Sequence, residues 1–419
     1  MQVAISGRQH KISLAELEVL FGAHNITSIG TYAAIVNTNK PLPQDILGGT
    51  QKTAKLLTRL EGSDLPNVFS YLQKSLPEHL QYLDDGKLQL GVSVYGFEAT
   101  RDWLLKQTLI LKKIIRKSGR SVRIIENKSE ALESAQVLYN KLTSSMGMEL
   151  LLIKDGNDVI IAQTTQIQDI DAYSERDFGR PMRDTYVGML PPKLAQIMIN
   201  LACGTDSVHT STISKTKLST PDSQATNTHP PTLVLDPFCG TGVVLQEAIL
   251  MGHFAYGTDI STKMIEYSTK NIEWLQEKWK LENGTWKIEN GDATTHQWNF
   301  SATQSTNANL AVVCETYLGK PLTHLPAKQQ LDQIIDEANI IAEGFLQNIA
   351  HQIPSGTKLC IALPAWHLED NTFIHLKLLD HPTDLGYNRI DLKNATKSDL
   401  IYHREDQIVA RELTILEKI

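Results

Sequence analysis

The sequence predicts an α/β protein whose carboxyl-terminal part is a doubly wound sheet that ends in an antiparallel hairpin. Between residues 232 and 364, short apolar runs typical of strands alternate with helical runs. Two further β-type runs, residues 399–402 and 407–416, lie close together and are typical of a closing hairpin. Residues 1–170 mix short strand and helix patterns, which favours a preceding α+β region made of one compact unit or two fused ones.

Length and composition set limits on the type of protein. The chain has 419 residues and a net charge of −7, enough length for two or three domains. Its cysteines, Cys203, Cys239, Cys314 and Cys360, are widely spaced without a CxxC pair, which argues against zinc, disulfides and an oxidising compartment. No segment approaches the roughly 18 apolar residues of a membrane span, and the start lacks a signal-peptide pattern. We therefore expect a soluble cytoplasmic protein without a metal site.

The front half shows its elements in a regular order. Ser13 and Glu16 have the spacing of a capping box and predict a helix start. The residues from Gly48 predict a second helix with Lys52, Lys55 and Arg59 near its beginning. The strand candidates are residues 2–6, 33–36, 88–95, 122–125, 149–153 and 159–162.

A basic amphipathic helix is predicted within residues 101–128. Leucines and isoleucines recur there at near-helical spacing among nine lysines and arginines, against only Asp102 and Glu126. A local basic face of this kind allows an acidic protein to bind nucleic acid. It is equally compatible with an ordinary solvated helix surface.

The most specific motif is the run Asp-Pro-Phe-Cys-Gly-Thr-Gly at residues 236–242. An apolar run precedes it and a helical run follows, an arrangement that brings backbone close to a nucleotide-like ligand. Gly240 and Gly242 lack the Cβ atoms that would block this approach. Because Val243 follows where a P-loop needs lysine, we expect a neutral or cationic adenosine ligand and not a triphosphate. The alternative is a glycine turn in an unrelated α/β protein.

Two more acids follow strand patterns downstream of this loop. Asp259 ends a strand at residues 253–258, about 20 residues beyond the glycine turn, where a ribose-binding carboxylate belongs. Asp292 follows a third strand at residues 286–290. It is a candidate acceptor for an adenine amino group and equally an ordinary loop acid.

The remaining segments complete the predicted layout. Residues 176–183 form a basic, turn-rich link, and Pro192 suits the first turn of the helix that follows. Residues 203–232 are rich in Ser, Thr, Pro and Asn with almost no large apolar groups, which predicts a mobile surface loop. Strands at 308–313 and 358–364 flank a helix at 329–351.

Taken together, several segments resemble the THUMP-containing RNA methyltransferases, and among them the tRNA guanosine-10 N2-methyltransferases. The resemblance covers nearly the whole chain apart from residues 203–232, and its matching segments are residues 48–55, 91–96, 176–181, 188–195, 236–242 and 407–412. It implies a ferredoxin-like region at 1–60, a THUMP-like RNA-binding domain at 61–170 and a Rossmann-like class I methyltransferase domain at 171–419.

The resemblance also implies a cofactor and a partner. The cofactor is S-adenosylmethionine, with contacts expected from Asp236, Phe238, Gly240, Gly242, Asp259 and Asp292. The partner is tRNA, with contacts expected from Lys52, Lys55, Arg116, Lys117, Arg120, Arg176 and Arg180.

The chain departs from the family at the catalytic tetrapeptide. Family members carry Asp-Pro-Pro-Tyr after the fourth strand, where the acid accepts a hydrogen bond from the target amine and the ring stacks on the base. Here residues 314–319 read Cys-Glu-Thr-Tyr-Leu-Gly. Glu315 at the acid position aligns Gly319 with the family glycine but brings Tyr317 one residue early. Tyr317 at the aromatic position leaves Cys314, a weak acceptor, at the acid position. We favour Glu315 as acceptor and Tyr317 as stacking ring.

Methyl transfer to the N2 amine of guanosine in tRNA is therefore the leading hypothesis. Ribosomal RNA is an alternative target, since the sequence shows no readout of the RNA. A second alternative is an RNA-binding protein that keeps the fold without catalysis, because both prolines of the tetrapeptide are missing. A dehydrogenase is disfavoured, since Asp236 and Pro237 occupy the place of the first glycine in GxGxxG.

Overall fold

The computed structural model describes residues 1–80, 84–184, 189–204, 231–281, 286–303, 309–322, 324–370, 372–404 and 407–419. The chain folds into two compact units. Unit 1 contains Met1–Leu17, Phe21–Asp45 and Gly49–Ala172, and unit 2 contains Glu18–Leu20, Ile46–Gly48 and Tyr173–Ile419. Of the predicted mobile loop at 203–232, residues 205–230 lie outside the described residues, and Cys203 ends a helix.

The front half of the chain is an α+β arrangement. Its strands are β1 (Gln2–Ser6), β2 (Ile26–Ile29), β3 (Ala33–Val36), β4 (Thr50–Leu60), β5 (Leu88–Tyr95), β6 (Val122–Ile124), β7 (Gly147–Asp155) and β8 (Asp158–Ile167). Its helices are α1 (His10–Phe21), α2 (Leu65–His79), α3 (Arg101–Lys117), α4 (Ser134–Tyr139) and α5 (Ile170–Phe178). The strands form one sheet in the order β2-β3-β1-β4-β8-β7-β5-β6, in which only the pairs β5–β6 and β5–β7 are parallel.

Two local predictions in this half are wrong. The segment after Gly49 is strand β4 and not a helix, because pairing with β1 on one side and β8 on the other outweighs the helix propensity of its Lys and Leu residues. Ser13 does not begin a helix either, since α1 starts at His10. Instead the Ser13 hydroxyl donates to the Gly49 carbonyl at 2.6 Å, and the Gly49 N–H donates to Glu16 at 2.9 Å.

The second half contains the following elements. Its helices are α6 (Pro192–Cys203), α7 (Val243–Leu250), α8 (Thr262–Trp279) and α9 (Lys328–Ala350). Its strands are β9 (Leu233–Asp236), β10 (Phe254–Asp259), β11 (Trp286–Asn290), β12 (Leu310–Glu315), β13 (Lys358–His367), β14 (Phe373–Ile374), β15 (Tyr387–Arg389), β16 (Ile401–Tyr402) and β17 (Val409–Lys418).

The sheet of unit 2 is doubly wound. Its order is β11-β10-β9-β12-β13-β17-β15; the pairs among the first five strands are parallel, and β17 is antiparallel to β13, β15 and β16. The predicted parallel sheet with an antiparallel terminal hairpin is confirmed. The chain reverses its direction of winding between β9 and β12, and open α/β sheets bind ligands at the carboxyl ends of the strands beside such a switch point.

Both units bury apolar side chains, in one large cluster in unit 2 and in several separate clusters in unit 1. In unit 2 the large side chains Phe345, Trp366 and Tyr387 are fully buried. All four cysteines are buried and free of disulfides, and burial raises the pKa of the Cys239 and Cys314 thiols well above the usual value. Within the described residues, the helices are too short or too polar to cross a membrane.

Candidate active site

A cavity of about 760 Å³ opens at the carboxyl edge of the parallel strands in unit 2. Asp236, Asp259 and Glu315 are the last residues of β9, β10 and β12, and each of them lines this cavity. Asp292 lies two residues beyond β11 and lines it as well. Parallel strands end at one edge of a sheet, so four acids separated in sequence by up to 79 positions lie around one cavity.

The glycine-rich loop connects β9 to α7 along the cavity. Gly240 and Gly242 have φ angles of +51° and +82°, in the region that disfavours side chains. A Cβ atom at Gly242 would also lie 3.0 Å from the Ser268 hydroxyl. Gly240 lines the cavity, whereas Gly242 does not and instead forms the turn into α7. The loop is thus the close-approach turn that the sequence predicts.

Asp259 is held by two backbone donors. Its Oδ2 accepts the Gly240 N–H at 2.9 Å, and its Oδ1 accepts the Ser261 N–H at 2.8 Å. Burial raises the pKa of this carboxyl above its usual value, in spite of these bonds. The next residue, Ile260, is 71% exposed and also lines the cavity. The sequence prediction did not include Ile260; its position directly after the ribose-type acid was the available signal.

Asp236 is the most deeply buried acid of the site. Its Oδ1 accepts the Phe238 N–H at 3.1 Å. Burial raises the pKa of Asp236 well above the usual value, and the nearby carboxylates of Asp259 and Glu315 raise it further. Phe238 lines the cavity and packs edge-on against Phe345, with ring centroids 5.2 Å apart. Asp236 and Asp259 thus line the cavity without an ion-pair partner among the described residues.

Asp292 is exposed, and its carboxylate is held by hydrogen bonds within its own loop. Its Oδ1 accepts both the N–H and the hydroxyl of Thr294, at 2.9 and 2.8 Å. These bonds fix the carboxylate while it faces the cavity.

The two alternatives at the tetrapeptide position differ clearly in their surroundings. Glu315 lines the cavity and has a side chain 19% exposed, whereas Cys314 is fully buried in the apolar core. Tyr317 also lines the cavity and is 36% exposed. The geometry thus favours Glu315, and not Cys314, as the polar group beside Tyr317.

Glu315 has a partner that the sequence prediction missed. The Arg411 Nε donates to its Oε1 in a short ion pair, and the Arg411 side chain is only 8% exposed. Residue Thr316 is tied down as well, because its N–H and its hydroxyl both point to the Ala362 carbonyl, at 3.1 and 3.4 Å. The segment that lacks the family prolines is therefore held by hydrogen bonds and an ion pair.

The predicted RNA contacts fall into two groups. Lys52 is 1% exposed and pairs with Glu149 at 2.5 Å, Arg176 pairs with Glu247 at 2.7 Å, and the Arg180 side chain is fully buried. These three predictions are wrong, since each cation lies inside its unit and cannot reach a phosphate.

The other four cations lie at the surface of unit 1. Lys55, Arg116 and Lys117 are exposed, and the half-buried Arg120 donates to the Leu80 carbonyl at 2.8 Å. Helix α3 is amphipathic as predicted, with Leu104, Thr108, Leu111 and Ile115 on its buried face.

Comparison with known proteins gives information on the fold. No family model and no curated protein matches the sequence. The structure is similar to that of TrmN from Thermus thermophilus, with 14% identity, a TM-score of 0.50 and coverage of 100% of this chain and 99% of that chain. It is also similar to a possible methylase from Clostridium difficile 630, with 11% identity, a TM-score of 0.45 and coverage of 99% and 97%. The likeness to TrmN confirms the predicted fold class, a doubly wound α/β sheet with an antiparallel terminal hairpin preceded by an α+β region.

Proposed function

We propose that this chain is an S-adenosylmethionine-dependent RNA methyltransferase that acts on the N2 amine of a guanosine in tRNA. One observation carries the proposal. A single cavity collects Asp236, Asp259 and Asp292 on its floor and side, and Glu315 with Tyr317 beside them. The first group suits a cationic adenosine cofactor, and the second suits a planar base with an amino group.

The charge of the cavity fits this cofactor. S-adenosylmethionine carries a sulfonium and an α-ammonium group, so it brings positive charge to its site. Burial raises the pKa of both Asp236 and Asp259, and neither acid has an ion-pair partner among the described residues. A cation bound beside them relieves this penalty. The cavity volume of about 760 Å³ also lies within the range of small-molecule sites.

The adenosine end of the cofactor has its own candidates. Asp259, fixed by Gly240 and Ser261, presents a carboxylate for the two ribose hydroxyls. The exposed Ile260 offers an apolar surface for the purine ring, and Asp292 offers an acceptor for its amino group. Phe238 and the glycine turn then border the remainder of the cofactor.

Glu315 and Tyr317 address the other substrate. When bound, the cofactor supplies an electrophilic methyl group. The lone pair of guanine N2 is delocalised into the ring. Methyl transfer therefore depends more on the orientation of the guanine than on a strongly basic residue of the enzyme. Glu315 accepts a hydrogen bond from the amine, and Tyr317 stacks on the base. The guanine must leave its own stack to reach this cavity, which is usual for enzymes that modify bases.

Unit 1 is the proposed RNA-binding part. We assign residues 1–60 to a ferredoxin-like region and residues 61–170 to a THUMP-like domain. Support comes from the exposed cations of α3, which are Arg101, Lys106, Lys113, Arg116 and Lys117. Cations on one helix face neutralise phosphates without reading sequence. The four cysteines are buried and outside disulfides, which agrees with a proposed location in the reducing cytoplasm.

The proposal is tested by methyl transfer from labelled S-adenosylmethionine into bulk tRNA and ribosomal RNA, followed by nucleoside analysis. We expect N2-methylguanosine in tRNA, and its loss with Glu315→Gln, which removes the charge at constant size. Glu337→Gln, at an exposed position of α9 outside the cavity, is the matched control and should remain active. Label in ribosomal RNA alone would show that the substrate is ribosomal RNA and not tRNA. No label in either RNA, despite measurable cofactor binding, would favour an RNA-binding protein without catalysis.

A further inference from the structure

Arg411 reaches the candidate acceptor across the intervening strand β13. Glu315 ends β12, where it is in register with Ala362 of β13, and Arg411 of β17 is in register with Pro364 of β13. The guanidinium thus comes from the antiparallel part of the sheet, on the far side of β13 from the acid that it binds. An arginine that spans this distance and loses nearly all its exposure has a fixed position.

The ion pair with Arg411 occupies one of the two oxygens of the Glu315 carboxylate. Among the described residues, hydrogen bonds reach the Oε1 atom of Glu315 and not its Oε2 atom. Because Oε1 is bound from the side of β17, rotation of the carboxylate is restricted while the second oxygen remains able to accept a hydrogen bond. Together with the Thr316 bonds to Ala362, this replaces the stiffness that two prolines would supply.

We propose that Arg411 is a positioning residue, which fixes the Glu315 carboxylate so that Oε2 accepts the hydrogen bond of the target amine. The inference rests on the proposed function and adds a residue that the Asp-Pro-Pro-Tyr pattern does not contain. Catalysis by orientation is sensitive to displacements of about 1 Å, so a small movement of the carboxylate lowers the rate of methyl transfer.

The neighbouring residue provides a matched control. Glu412 follows Arg411 in β17, and successive residues of a strand point to opposite faces of a sheet. Glu412 pairs with Arg389 at 2.9 Å, and the Arg389 side chain is 10% exposed, close to the 8% of Arg411. Arg389 does not line the candidate active site. The two arginines thus have similar burial and each pairs with a glutamate, although His375 also contacts the second oxygen of Glu412. They differ in their relation to the active site.

The experiment compares Arg411→Ala, Arg411→Lys and Arg389→Ala in methyl transfer to RNA, with cofactor affinity and RNA affinity measured separately. For Arg411→Ala we expect kcat to fall 10-fold to 100-fold, while the dissociation constant of the cofactor and the KM for RNA change less than threefold. Arg411→Lys should recover part of kcat, and added methylguanidine should recover part of the activity of Arg411→Ala. Arg389→Ala should retain kcat and show no rescue.

Crystal structures of the wild type and Arg411→Ala give a readout that needs no turnover. We expect the Glu315 carboxylate to leave its position when the guanidinium is absent. An unchanged carboxylate, or equal losses of kcat in Arg411→Ala and Arg389→Ala, would overturn the inference. If the wild type transfers no methyl group, the proposed function fails, and the crystal structures still decide whether Arg411 positions Glu315.

Discussion

Glu149 in unit 1 and Glu315 in unit 2 are both glutamates paired with a cation, and they are satisfied to different degrees. Glu149 is fully buried, and its Oε1 accepts Lys52 at 2.5 Å and Ser93 at 2.6 Å, while its Oε2 accepts Thr164 at 2.6 Å. Glu315 lines a cavity, and Arg411 engages one of its oxygens. Glu149 has donors on both oxygens, whereas Glu315 keeps an acceptor for a ligand.

This difference separates a structural ion pair from the one that we propose to be functional. A buried carboxylate needs donors on both oxygens, because an unsatisfied buried charge costs several kcal/mol. A carboxylate at the edge of a cavity can remain partly unsatisfied, since water or substrate completes it. The number of donors to each carboxylate oxygen therefore indicates the role of a glutamate better than the presence of an ion pair does.

The largest expected effect is on stability in unit 1. Glu149→Ala leaves the Lys52 ammonium buried without its partner, so the free energy of unfolding should fall by about 3–5 kcal/mol. Chemical denaturation with urea measures this loss. Glu343→Ala, at a partly exposed position of α9, is the control and should remain close to the wild type. A loss below about 1 kcal/mol for Glu149→Ala would show that the two glutamates do not differ in structural role.

Glu315→Gln should affect methyl transfer more than stability. The side chain is partly exposed, and the amide keeps its size and an oxygen that can accept from Arg411, so we expect a smaller loss in the free energy of unfolding than for Glu149→Ala. Methyl transfer should fall by about 100-fold or more, in the range seen when one preorganised hydrogen-bond partner is removed. Urea denaturation and methyl transfer on the same preparation test both parts. Strong destabilisation with unchanged specific activity would contradict the comparison.

Asp236→Asn tests the third type of carboxylate, a buried acid without a cation. Burial raises its folded-state pKa, so the fold favours the protonated form, and this stability is lost as the pH rises through the raised pKa. At neutral pH the neutral amide should therefore raise the Tm of the free protein by about 2–4 °C, if it stabilises by about 1 kcal/mol. Cofactor affinity should fall at the same time. Thermal melting with and without S-adenosylmethionine provides both values.

The same charges predict a pH dependence of cofactor binding. As the pH falls through the raised pKa values of Asp236 and Asp259, both acids take up protons and lose their attraction for the sulfonium. The affinity for S-adenosylmethionine should therefore decrease at lower pH. S-adenosylhomocysteine has a neutral sulfur and should show a weaker dependence. Titration calorimetry at several pH values measures both ligands, and equal slopes would contradict a role for these charges.

The smallest expected effect concerns the surface of α3. Replacing Lys113, Arg116 and Lys117 by glutamine should weaken RNA binding and lower the slope of log affinity against log salt by about one per lost phosphate contact. Filter binding over a range of salt concentrations measures the slope. Lys278→Gln on α8 is the control, since Lys278 already pairs with Glu175. An unchanged slope would locate the RNA surface elsewhere.

The sequence was most informative where local geometry determines function. A glycine turn between a strand and a helix, and acids at strand ends, are local patterns, so Asp236, Gly240, Asp259 and Asp292 could be located around one edge in advance. The sequence did not reveal which strands pair or which distant side chains form ion pairs. Lys52 looked like a surface cation until β4 paired with β1 and β8 and turned it inward, and no local signal placed Arg411 beside Glu315.

Arg176 and Arg180 illustrate the same limit. Their segment is basic and turn-rich, which suggested contact with RNA. In the fold, Arg176 instead compensates the buried Glu247 of α7. A basic run therefore predicts a charge partner without indicating whether that partner is a phosphate or a carboxylate of the same chain.

The burial of Cys203, Cys239, Cys314 and Cys360 gives the folded protein a practical property. Buried thiols react slowly with maleimides and disulfide reagents, and at Cys239, Cys314 and Cys360 burial also raises the pKa, so that little thiolate forms. A cysteine introduced at an exposed position, such as Lys113 of α3, would then be the preferred point for a fluorophore or a photocrosslinker. The native chain can thus serve as an unmodified background for testing the proposed RNA surface by site-specific labelling.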